Sequence, residues 1–374
     1  VKNPAGKNRL LQTEVGLVAR AERERPGMQE LVVSVEGRQE RAVNYPQLLG
    51  DVRAGERVLL NTTAVRAALG TGGYHFVMQK EGEGRPKEES AGRIVKLRYT
   101  PLQFRCRSVE EQDSPYREAI EGCEGLEEMP VVVCGLHSQI APAAAAVKKL
   151  LPEVRVAYVM TDTAALPLPF SELAAKLKEA GLLDATITVG QAFGGDYEAV
   201  NVFTGLLAAR AVVGAGVAIV GQGPGNVGTE TDWGFGAIAQ GEHVNAVAVL
   251  EGVPVAVPRI SFADRRPRHY GVSRQSLVAL GRVAVAQAVV AVPQMAPEKL
   301  EVVHRQLDDE GITGRHEVLL VRGEAGVEEL TARGVEVKTM GRAMEDDPEF
   351  FLAGGAAGVV AAERLRWEGS STSD

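Results

Sequence analysis

From Met129 onward, short apolar runs recur eight times, with helical text between each pair and after the last. The runs cover 131–134, 154–160, 185–189, 217–220, 253–257, 289–292, 318–321 and 335–339. The helical segments cover 141–151, 171–180, 198–213, 235–250, 273–287, 297–310, 327–333 and 348–365. Runs of Val, Ile and Ala without polar alternation belong to strands covered on both faces, hence to parallel ones. Eight such units fit a closed eight-stranded β/α barrel or an open, doubly wound sheet. The early glycine loops and long helices favour the open sheet.

The fourth run leads into a turn holding Gly221, Gly223, Gly225 and Gly228. Residues 223–228 read Gly-Pro-Gly-Asn-Val-Gly, which formally satisfies G-x-G-x-x-G. Glycines there let the backbone take positive φ and let a ligand approach the main-chain N–H groups, and a helix start adds its own free N–H groups. An anionic small molecule is therefore the expected guest, with Gly221, Gly223, Gly225, Asn226 and Gly228 as binding residues. Two features weaken the dinucleotide version. Pro224 is unusual inside such a turn, and Glu242 and Glu251 fall on or at the end of a helix instead of after the next strand. Neither the cofactor nor the reaction follows from these residues.

Ligands in parallel sheets sit at the carboxyl ends of the strands. The first run is followed by His137 and Ser138, the second by Asp162, the third by Gln191 and then Asp196, and the fifth by Arg259, Ser261, Asp264, Arg268 and His269. The last three end in blander text, so a site built from the first five is expected. His137 is the natural general acid or base, since an unperturbed imidazole titrates near neutrality; the alternative is a histidine that only orders its turn. Asp162 would orient it, bind a ligand hydroxyl or cap the turn before Pro167. Ser138 lacks the G-x-S-x-G elbow of a hydrolase nucleophile. His269 is placed with the catalytic candidates, and Arg268, Gln191, Asp196 and Asp264 with the binding ones. For Asp196 an ordinary helix cap is the competing role. Asp196 with Glu198 could also pair as carboxylates or a metal site, but no H-E-x-x-H or EF-hand pattern occurs, and the three cysteines, Cys106, Cys123 and Cys134, share no metal-ligand spacing.

Before Met129 the text is β-like. Candidate strands over 14–20, 29–35, 39–45, 57–61, 75–79, 93–99 and 103–109 are separated by turns, as in a small barrel or sandwich. At 374 residues the chain is too long for one ordinary core. The expected organisation is a poorly ordered tail over 1–12, a small β domain over 13–110, a connecting helix within 111–129, an α/β ligand-binding domain over 130–368 and a disordered tail over 369–374. Residues 81–91 read as an exposed charged loop. Residues 1–108 hold 19 Lys and Arg against 12 Asp and Glu, whereas the remainder holds 22 against 37. The basic residues are interleaved with glutamate, and aromatic content is only 5%, so nucleic-acid binding is not favoured. No apolar run is long enough for a membrane span, and the start VKNPAGKNRLLQ lacks a secretory core. A cytoplasmic location is the expectation. Small residues over 354–362 make a homo-oligomer plausible.

Several stretches together resemble one uncharacterised bacterial family, the domain of unknown function 3866. They are Arg41-Ala-Val-Asn-Tyr-Pro46, Leu60-Asn-Thr-Thr-Ala64, Gly70-Thr-Gly-Gly-Tyr-His75 and Lys96-Leu-Arg-Tyr-Thr-Pro101, with Phe193-Gly-Gly-Asp196, Glu198-Ala-Val-Asn201, Ser261-Phe-Ala-Asp264 and Arg268-His269. The resemblance runs from about residue 13 to at least residue 285. It implies a natural bacterial protein and carries over no activity or catalytic residue.

Overall fold

Alternating apolar residues in the amino-terminal third close into a barrel. The computed structural model describes residues 11–70, 72–82 and 92–371, with side chains to 366. Most of the expected 1–12 tail, nearly all of the 81–91 loop and the end of the 369–374 tail lie outside the described residues. The barrel strands are β1 (Thr13–Arg25), β2 (Met28–Val35), β3 (Arg38–Asn44), β4 (Arg57–Asn61) and β5 (His75–Lys80), in the closed order β1-β2-β3-β5-β4. All pairs are antiparallel except β3 with β5. Two register shifts in β1 against β2 supply the bend that closure needs. Inside are Val18, Leu31, Val33, Val35, Ala42, Val58 and Leu60, all buried. The segments expected as strands over 93–99 and 103–109 shrink to Ile94–Lys96 and Phe104–Cys106. The chain divides into two compact units, 1–90 with 97–104, and 91–96 with 105–374.

The second unit is an open sheet of eight parallel strands. In chain order they are β6 (Pro130–Cys134), β7 (Val156–Thr161), β8 (Ala185–Val189), β9 (Tyr197–Ala199), β10 (Val217–Gln222), β11 (Val253–Val257), β12 (Val289–Pro293) and β13 (Glu317–Val321). Their spatial order is β9-β8-β7-β10-β6-β11-β12-β13. The helices are α1 (Ile140–Leu150), α2 (Glu172–Glu179), α3 (Val202–Ala211), α4 (Ala239–Val249), α5 (Arg274–Val278, continued by a π turn), α6 (Pro297–Asp309), α7 (Glu324–Ala332) and α8 (Pro348–Ser371). α1, α7 and α8 pack together on the sheet, while α3 packs with α4. Covered on both sides, β6, β7, β8 and β10 are buried at every position; β6 and most of β7 and β10 are apolar without alternation, whereas β8 alternates through Thr186 and Thr188, whose buried hydroxyls donate to Asp196 and Glu198.

Two elements differ from expectation. Residues 335–339 form no strand; the eighth strand is instead Tyr197–Ala199, inside text expected to begin a helix. That helix starts only at Val202, capped by Asn201, whose side chain accepts from Thr204 N at 3.1 Å. The connecting helix expected within 111–129 is limited to Arg117–Glu121. The eight-stranded β/α barrel does not form.

The connection leaving β6 runs to β7 on one side, and that leaving β10 runs to β11 on the other. Since β6 and β10 are adjacent, the two loops diverge and leave a crevice at their carboxyl ends, the usual ligand position in such sheets.

Candidate functional site

A cavity of about 750 Å³ opens at this crevice. Five segments line it: 136–138 after β6, the start of α2, the loop from 222 to 235 after β10, residues between 259 and 275 after β11, and 336–340. The last segment is the apolar text expected to be a strand. It lines the cavity without forming a strand, so the cavity draws on more than the first five strand ends.

His137 enters from the turn between β6 and α1 and is half-buried. Its Nδ1 lies 3.2 Å from the Gln222 carbonyl and 3.2 Å from the Tyr158 hydroxyl, and its Nε2 lies 2.6 Å from Ser171 Oγ. A carbonyl only accepts, so Nδ1 carries the proton and Nε2 takes the Ser171 hydroxyl proton. Ser171 also caps α2, its oxygen accepting from Ala174 N at 2.9 Å. Burial pushes His137 down to about 4. The ring is therefore neutral near pH 7, with both nitrogens engaged. Ser138, also on the wall, donates to Thr339 Oγ1 at 3.3 Å.

The lining also carries charge of both signs, with Glu172, Glu230, Asp232 and Glu336 beside four arginines. The arginines are Arg259, Arg266, Arg268 and Arg274. Behind them, buried Asp264 accepts from Arg259 Nη2 at 2.9 Å and from Arg266 Nη2 and Nε at 2.7 and 2.9 Å, with Arg342 at 3.7 Å. The hydrogen bonds from Arg266 hold its carboxyl far below the usual carboxylate range. Buried His269 sets Nε2 3.1 Å from Arg268 Nε, and Nδ1 3.1 Å from Arg259 Nη1 and 2.7 Å from the Ser273 hydroxyl; a neutral ring has one acceptor nitrogen, so it accepts from only one of the two guanidiniums at a time. Burial, and then the Arg259 charge, push it down to about 4. Buried His243, in α4, is likewise pushed down to about 4 by burial.

These three histidines make stability depend on pH. Their folded values lie below 6.5, so from there down to about 4 the unfolded chain binds more protons. Stability is expected to fall across that window by up to about 1.4 kcal/mol per pH unit for each histidine. Melting temperatures between pH 7 and pH 5 check this; equal stability at both ends would contradict it.

The loop after β10 departs from the dinucleotide pattern. α4 begins at Ala239, well after Gly228, and a short 3-10 turn over Gly236–Ile238 precedes it. The Asn226 side chain accepts from Ala237 N at 2.9 Å and from Gln222 Nε2 at 3.0 Å, so it caps the start that a pyrophosphate would occupy in a dinucleotide fold. Gly221 is a strand residue packed on Cys134. Gly223 and Gly228 line the cavity, as does Gly225, whose φ of +93° requires glycine.

Asp162, Gln191 and Asp196 lie outside the cavity lining. Asp162 accepts from Gln191 N at 2.8 Å, tying the ends of β7 and β8, and is not a partner of His137. Asp196 caps no helix; it accepts from Thr186 N and Oγ1, both at 2.8 Å, and from Lys178. Glu198 receives the buried ammonium of Lys96 and Gly194 N, so this cluster braces the sheet edge. The sequence reading missed Ser171, Tyr158, Gln222, Lys176, Arg274 and residues 336–340. Only Gln222, at a strand end, carried a usable signal. Among the described residues no group of three or more His, Cys, Asp or Glu is placed to hold a metal ion, and no helix is long and apolar enough to cross a membrane.

The sequence model of one family, described as protein of unknown function (DUF3866), matches residues 41–358. No curated protein and no solved structure matches the chain.

Proposed function

The chain belongs to the DUF3866 family, protein of unknown function, and from the cavity's own chemistry we propose that it binds an anionic or phosphorylated small molecule, nucleotides included, at the carboxyl ends of β6, β10 and β11. The observation that carries this is the set of four guanidiniums lining the cavity with a glycine-containing turn at the point where the sheet's connections diverge. Arg268 and Arg274 are the contact residues, because both are half-buried with their charges at the cavity. The cavity volume falls within the range of small-molecule sites.

Binding without acid–base chemistry is favoured over turnover by one specific feature. Both ring nitrogens of His137, and both of His269, are hydrogen-bonded to protein atoms. In the barrel, Arg20, Arg41, Arg57 and Arg66 are paired with glutamates, which removes much of the reason to place nucleic acid there.

The test is a thermal-shift panel of nucleotides, dinucleotides, phosphosugars and coenzyme A derivatives on wild type and Arg268→Ala. A ligand at about 100 times its dissociation constant stabilises by about 2.7 kcal/mol. One class is expected to shift wild type and to lose most of that shift in Arg268→Ala. A well-folded wild type that answers to no anionic class would overturn the proposal.

A further inference from the structure

Resting on that site assignment, we propose that the turn carrying Glu230 and Asp232 is a built-in competitor, whose two carboxylates stand in for a ligand with two adjacent anionic groups, as a diphosphate carries. Arg268 Nη1 meets Glu230 Oε1 at 2.6 Å, and Arg274 meets Asp232 at 2.7 Å through Nη2 and 3.0 Å through Nε. Two cavity-lining cations are thus satisfied by two carboxylates presented two residues apart on one turn, Asp232 also accepting from Arg282 Nη1 at 3.1 Å.

Three features suit this turn to exchange. First, it holds its own shape. Thr229 N and Oγ1 both donate to Gly234 O, and Gly234 N donates to Thr231 Oγ1, all within the turn. Breaking the ion pairs therefore does not unravel it. Second, the arginines are anchored elsewhere: Arg268 meets His269, and Arg274 also pairs with Glu310, so both stay in place when the turn leaves. Third, the carboxylates are cheap to displace, because Glu230 is 72% exposed and Asp232 40%, and exposed ion pairs contribute little. A diphosphate makes the same charge-assisted hydrogen bonds to the guanidiniums and brings more negative charge than the two carboxylates.

Glu230 also sits at φ +68°, a conformation that a side-chain-bearing residue adopts at a cost. Here it aims the carboxylate at Arg268. Beside it, Trp233 is 58% exposed and provides a reporter on the same turn.

The experiment measures the affinity for inorganic pyrophosphate and for orthophosphate in wild type, Glu230→Gln/Asp232→Asn and Arg268→Ala/Arg274→Ala, by calorimetry at low ionic strength. Trp233 fluorescence is followed in a Trp367→Phe background. The expected result is pyrophosphate binding at least about tenfold tighter in the Gln/Asn variant. Pyrophosphate should be preferred to orthophosphate, Trp233 emission should change on saturation, and binding should be lost in the double alanine variant. Equal pyrophosphate affinity in wild type and the Gln/Asn variant overturns the competitor while leaving the anion site standing. Should the Gln/Asn variant fold poorly, Glu230→Gln alone must show the same direction of change. If pyrophosphate and the whole anion panel bind none of these proteins, the site assignment fails and the competitor fails with it.

Discussion

Replacing Asp264 by alanine is expected to lower the stability of the α/β unit by about 3–5 kcal/mol, the usual loss when one partner of a buried ion pair is removed. Asp264 is 4% exposed and Arg259 6%. Without the carboxylate, buried Arg259 and the partly exposed Arg266 would lose their hydrogen-bonded counter-charge, and Arg342 would keep only Asp347. Arg259 has little reserve: its Nε is buried without a hydrogen-bond partner, and beyond Asp264 its guanidinium reaches only His269 Nδ1, at 3.1 Å. Asp264→Asn keeps the shape and some hydrogen bonds, so its loss should be smaller. The pH dependence separates charge from packing. Hydrogen bonds from Arg266 depress the folded value, so the contribution is fully present above the unfolded value, about 3.9 for aspartate, and is lost only as pH falls below it. The gap between wild type and Asp264→Asn should therefore hold from pH 7 to about 5 and shrink in stronger acid. Urea titrations at each pH measure it. A loss under about 1 kcal/mol in Asp264→Ala would mean that the cluster is solvated and not a buried pair.

How much of this was legible follows from what each residue is buried against. Strands sealed on both faces are mostly apolar, so β6, β7 and β10 announced themselves, and β8 did so through Ala185, Ile187 and Val189 although Thr186 and Thr188 interrupt it. β9 did not, because Tyr197-Glu198-Ala199 is three residues at the sheet edge, and its glutamate is there to receive Lys96. Residues 335–339 misled for the opposite reason: Val335 and Val337 are buried without joining the sheet, and an apolar run alone does not distinguish the two. The strand-end rule located His137, Ser138, the loop after β10 and Arg268. It did not supply their partners. Asp162 looked like the orienting carboxylate because β7 follows β6 in the chain, but β10 lies between them in the sheet, and it is Gln222 that meets His137. Strand order is a long-range property, and no local pattern encodes it.

The same distinction between local pattern and packing decides what the small residues of α8 are for, and it yields a prediction of sign. In an ordinary helix interior, glycine to alanine stabilises by about 1 kcal/mol. Gly358→Ala is expected to do the reverse. A Cβ at Gly358 would stand 2.3 Å from the Ala143 carbonyl oxygen and 2.8 Å from Ala146 Cβ on α1. The obstacle is helix backbone, which cannot rotate away as a side chain can. Gly354 faces Pro142 in the same way, at 2.5 Å, and Gly326 on α7 would meet the Pro142 carbonyl at 2.3 Å. Three helices thus touch through glycine, and this packing within one chain accounts for the small-residue stretch that suggested an oligomer. Gly358→Ala should lose about 1–3 kcal/mol, and Gly358→Val more, since α1 and α8 must separate to admit the branched side chain. Denaturation midpoints measured over a hundredfold range of protein concentration test both points. A loss independent of concentration places the contact inside the chain; a loss that grows on dilution would assign these glycines to an interface between copies.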